Sequence, residues 1–132
     1  MREVVNYDIL SAKATAGIGN IILVDDFRHM VASIFALVPG GAAVTVKCQG
    51  SIAETAPTFG SAASATNQWE YVEMVDLNTG TATDGDTGFS VSGANDNRQY
   101  QVNVDGLRWI TFILSGITGT IAVTSKVRLY ND

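Results

Sequence analysis

The sequence is short of the residues most chemistry needs. It has one cysteine and one histidine in 132 residues. A single thiol excludes an internal disulfide framework, and one thiol with one imidazole leaves little for a transition-metal site. Charge is sparse at 16%, against ~25% in ordinary soluble domains. Basic residues are scarcer still, eight against thirteen acidic ones, for a net charge of −5. Sequence-independent nucleic-acid binding requires clustered Lys and Arg to displace counterions, so no nucleic-acid partner is expected. No apolar run approaches the ~20 residues of a membrane span, which argues against a membrane partner. The opening Met1-Arg2-Glu3-Val4-Val5 lacks the apolar core of a secretion signal. The chain also shows no convincing helical period.

What it does contain is 46% hydrophobic residues, enough for one core in one domain, set out in short segments between Gly-rich turns. Val44 to Gln49 alternates apolar and polar, the pattern of a half-buried strand. So do Phe89 to Ser92, Tyr100 to Val104 and most of Thr120 to Leu129. Trp69 to Val75 and Arg108 to Ser115 read as further strands. Phe27 to Val38 is apolar on both faces and ends at Pro39-Gly40-Gly41, so it is expected to pair with Val44–Gln49 as a hairpin. Asp105-Gly106 is a second hairpin signal, between Tyr100–Val104 and the strand from Arg108. Gly50 to Gln68 is the longest loop expected. About eight strands at regular spacing indicate an all-β fold, a jelly-roll-like antiparallel β-sandwich. An immunoglobulin-like sandwich fits less well, because Cys48 stands alone. The first sixteen residues have no firm period and precede the breaks at Gly17 and Gly19. They are expected to form an extended N-terminal arm (1–16) outside a single sandwich domain (17–132), with Val4, Val5 and Tyr7 available for docking.

Three groups of residues could carry chemistry. Cys48 and His29, with Asp25 or Asp26 orienting the imidazole, would make a nucleophilic pair. The plainer reading makes Cys48 a small buried hydrophobe on the face of Val44 and Val46, and that reading is preferred. Asp84-Gly85-Asp86-Thr87-Gly88 and Asp96-Asn97 offer oxygen ligands for a calcium ion. They depart from the EF-hand pattern, and Asp-Gly is common turn chemistry, so no metal and no cofactor is expected. Trp69, Tyr71, Tyr100 and Trp109 could stack on sugar rings or pack at a protein interface. The interface is favoured, with Trp69 and Tyr71 as its anchors. No nucleophile–base set is recognisable, so the protein is not expected to be an enzyme.

Several runs together resemble a known group. They include Val24-Asp25-Asp26-Phe27-Arg28-His29, Val44-Thr45-Val46-Lys47-Cys48-Gln49-Gly50-Ser51 and Asp84-Gly85-Asp86-Thr87-Gly88. The stretch Asn97 to Trp109 and Lys126-Val127-Arg128-Leu129-Tyr130 complete the set. The chain from Val24 onward is similar to small structural proteins of tailed bacteriophages, most of all the jelly-roll capsid decoration (cement) proteins. That resemblance implies a virion protein, assembled in the host cytoplasm, that braces an assembled shell. Its partners would be the major capsid protein and copies of itself as a homodimer or homotrimer. It transfers no active residue. A receptor- or carbohydrate-binding sandwich of a phage tail, or a free lectin-like module, is the alternative.

Overall fold

The computed structural model describes residues 4–131. Among them there is no helix, and twelve strands form two antiparallel sheets. Six strands are long: β1 (Val4–Lys13), β4 (His29–Leu37), β5 (Ala43–Ser51), β10 (Asp96–Asn103), β11 (Trp109–Thr118) and β12 (Ala122–Tyr130). The short ones are β2 (Gly17–Ile18), β3 (Ile22–Leu23), β6 (Glu70–Val72), β7 (Met74–Asp76), β8 (Ala82–Thr83) and β9 (Phe89–Ser92). Sheet one runs β1-β12-β4-β10-β7-β8. Sheet two runs β2-β11-β5-β6, with β3 beside β2 along β11 and β9 beside β6 along β5. Counting each short pair as one position gives four strands against four, with β7–β8 extending sheet one. From β4 on, successive long strands alternate between the sheets, which is the jelly-roll arrangement.

Period-2 burial builds the core. Met30, Ala32, Ile34 and Ala36 of β4 face inward, opposed by Val44, Val46 and Cys48 of β5 and Ile110, Phe112 and Leu114 of β11. Val102, Val123, Val127 and Leu129 complete the sheet-one side, all at most 2% exposed. Burying each of these large aliphatic side chains stabilises the fold by ~1.5–3 kcal/mol before conformational entropy is counted.

Three expectations are corrected. From Val4 on, the arm is not an arm: β1 pairs with β12 from Val4↔Tyr130 to Lys13↔Val123. Its period is broken by register shifts between Asp8 and Leu10 and between Leu10 and Lys13. Those bulges bring the adjacent Ile9 and Leu10 both inside, at 1% and 0% exposure. Met1 to Glu3 lie outside the described residues.

The Pro39-Gly40-Gly41 turn joins no hairpin either. Both edges of β4 are taken, by β10 and β12, so β5 is carried to the other sheet. The Asp105-Gly106 turn crosses in the same way. Val104 N–H donates to the Arg28 carbonyl in sheet one, and Arg108 N–H to the Ser51 carbonyl in sheet two, at 3.2 and 2.9 Å. Alternation reports which face of a strand is buried; it is silent on which strand lies beside it.

Candidate interaction surfaces

The residues singled out for catalysis are kept apart. His29 is on β4 and Cys48 on β5, in different sheets. Cys48 is fully buried, and that burial pushes its thiol far above the ordinary value. A thiol held neutral in a closed apolar core is not a nucleophile. His29 is half-buried with its ring stacked on Tyr130 at 5.0 Å, and Asp25 faces Arg108 at 3.3 Å. Asp84 closes its own turn: its carboxylate accepts from Asp86 N–H, and its carbonyl from the amides of Thr87 and Gly88. Gly85 lies directly against the Tyr71 backbone, where a Cβ would stand 2.7 Å from the carbonyl carbon. Among the described residues no cluster of three His, Cys, Asp or Glu could hold a metal ion.

The aromatic residues divide by face. Tyr100 points inward against Phe89, with ring centroids 5.5 Å apart. Burial, with help from the Asp76 and Asp96 carboxylates and against Arg98, pushes its phenol up to about 12. The register puts Trp69, Tyr71 and Trp109 on the outer face of sheet two, where the chain from Ile52 to Gln68 folds back over them. Trp69 Nε1 donates to the Ser61 carbonyl and Trp109 Nε1 to the Ala53 carbonyl, both at 2.9 Å. Gln49, 1% exposed, accepts from Gly60 N–H, and Asn67 bonds Thr58 and Ala62 across the loop. Phe59 is 4% exposed yet lies outside the inter-sheet cluster, so it plugs this second, outer layer. The tryptophans therefore clamp the protein's own loop. Trp69 still meets Tyr71 edge-on at 5.0 Å, and beside it Ile52, Leu107 and Gly50 line a small depression of about 240 Å³.

Among the described residues, none forms such a cover over the outer face of sheet one. Its central strand β4 turns Val31, Phe35 and Leu37 outward, with Phe35 43% and Leu37 46% exposed. On one side of them β12 carries Lys126 and Arg128, beside Asn6 and Asp8 of β1, around a depression of about 520 Å³. On the other side Glu73 and Asp105 border a depression of about 560 Å³ with Gln101 and Asn103. Of the residues expected to dock, Val5 packs against the core and Tyr7 is 41% exposed on the free edge of sheet one. They stand at the opposite end of the sandwich from Trp69 and Tyr71, since β1 and β6 are opposite edges. The structure does not join the two sets. The outward pair Phe35 and Leu37 was missed, although the apolar residues on both faces of Phe27–Val38 were its signal.

No family model matches the chain, and no curated protein does. Solved structures share the fold. SPBc2 prophage-derived protein YomS matches with a TM-score of 0.68 at 14% identity, over 99% of this chain and 96% of that one. PBSX exported protein XepA matches with a TM-score of 0.70 at 16% identity. The match covers 98% of this chain and spans 38% of XepA.

Proposed function

We propose that this chain is a phage virion structural protein, a capsid decoration protein that docks as a homo-oligomer on the assembled shell and performs no catalysis. The observation that carries the homo-oligomeric part of the reading is the outer face of sheet one, which no described segment covers and whose central strand presents Phe35 and Leu37 to solvent. Contiguous exposed apolar side chains rimmed by polar ones mark protein–protein contacts. The phage setting is supported by the end-to-end fold likeness to a prophage-derived protein and by the sequence resemblance described above. The absence of chemistry is supported by the separation of Cys48 from His29.

The test is co-purification. Particles banded from a host expressing the tagged chain together with its phage should carry it in high, stoichiometric copy. A chain that stays in the soluble fraction overturns the reading. A second reading, glycan or receptor binding, draws on the half-exposed Trp69–Tyr71 pair and the depression beside it. It requires glycan-array binding that Trp69→Ala abolishes while particle occupancy is unchanged.

A further inference from the structure

β4 is apolar on both faces, which does not suit a strand with one wet face. Met30, Ala32, Ile34 and Ala36 point into the core, while Val31, Phe35 and Leu37 point outward beside His29 and Ser33. Apolar residues on both faces belong to strands covered on both faces. Sheet two obtains its outer cover from the 52–68 loop and Phe59. No described segment of the chain does this for sheet one.

We infer that a second copy of this chain covers that face, in an isologous dimer whose two-fold axis runs parallel to β4. This deepens the homo-oligomeric part of the proposed function and rests on it. Charge complementarity selects the occupant. Lys126 and Arg128 lie on one side of β4 with Asp8 beside Lys126, which leaves that flank net basic, and Glu73 and Asp105 lie on the other. A two-fold axis along the central strand turns each side over onto its opposite. Both basic flanks then meet acidic flanks, and the apolar seam of Phe35 and Leu37 meets itself. A face with one sign of charge throughout would repel its own copy. The size is at the lower limit: four strands ~4.8 Å apart and ~30 Å long present ~570 Å² before side-chain relief is added, against ~600–1,000 Å² per partner for a standard interface.

Sedimentation velocity of the full chain at micromolar concentration tests this. The wild type should sediment as a dimer. Phe35→Asp should sediment as a folded monomer that keeps a cooperative melt, because the side chain is nearly half exposed within its own protomer, with melting lowered only by the lost association. Arg128→Glu and Glu73→Arg should each weaken the dimer at least tenfold, and the double reversal should restore it. A monomeric wild type overturns the inference. So does a Phe35→Asp protein that remains dimeric, or a dimer that Tyr7→Asp disrupts instead. The outcomes separate the two proposals. A monomer found on particles keeps the virion role and removes this interface; a Phe35-dependent dimer absent from particles does the reverse.

Discussion

Truncating Leu10 to alanine should destabilise the whole sandwich, although the residue sits only ten positions from the start of the chain. Leu10 is 0% exposed and is paired opposite Ser125. It packs on the backbone of Gly19, where an added Cβ would fall 2.7 Å from Leu10 Cδ2. The strand is held there by Asn20, whose backbone N–H donates to the Ile9 carbonyl at 2.8 Å. Its side-chain amide donates to the Asp8 carbonyl at 3.0 Å. With so little freedom to collapse, the cavity persists, and a buried Leu→Ala change of this kind costs ~3 kcal/mol. An unfolding entropy of ~2.1 cal/mol/K per residue over 132 residues gives ~0.28 kcal/mol/K, so the melting temperature should fall by ~11 °C. Differential scanning calorimetry reads this directly. Tyr7→Ala is the control, on the same strand but 41% exposed, and should shift melting by no more than ~2–4 °C. Equal small shifts for both variants would refute the reasoning and return β1 to the status of a loose arm.

Other outcomes follow from single groups. Folding holds Tyr100 neutral, so its contribution to stability is complete below the ordinary value of 10.0 and is lost as pH rises from there through about 12. Denaturant melts across that window should show the loss, and Tyr100→Phe should reduce it. Cys48 should resist a thiol reagent in the native protein and react fully in denaturant; rapid native labelling would contradict the closed core. Phe59→Ala should open the 52–68 loop to limited proteolysis while the sandwich stays protected, because Phe59 belongs to the outer layer alone. Cooperative loss of the entire fold would show that the loop is integral to it.

Alternating segments such as Val44–Gln49 and Tyr100–Val104 could be read from the sequence, because a half-buried strand must place an apolar residue at every second position. The sandwich class followed from them. Neighbour relations did not. Pro39-Gly40-Gly41 and Asp105-Gly106 reverse the chain as expected, but a reversal that stays in one sheet and one that crosses to the other use the same turn residues. The first strand was hidden for a different reason: its bulges place Ile9 and Leu10 inward side by side, which erases the period. Trp69 and Tyr71 stood out because of their size. Their outward direction, and the loop that Trp69 and Trp109 hold, depend on contacts with Ser61 and Ala53 that no local pattern announces.

The pairing of β1 with β12 also bears on when the protein can fold. Val4 lies beside Tyr130, so the first described strand waits for a segment more than a hundred residues later before it has a neighbour. His29 and Ser51 likewise wait for Tyr130 and Trp109. On the ribosome the nascent chain therefore carries β1 and β4 without β12, and the sheet closes only once β12 has been made. Contacts this distant in sequence make for slow folding, on the order of milliseconds to seconds for all-β topologies. The same adjacency brings Val4 and Tyr130 together, so a short linker from Tyr130 back to Val4 would give circular permutants. Cutting such a permutant in the Pro39–Ala42 turn would make β12 and β1 neighbours in sequence, with β4 following after β2 and β3, and should speed closure of sheet one.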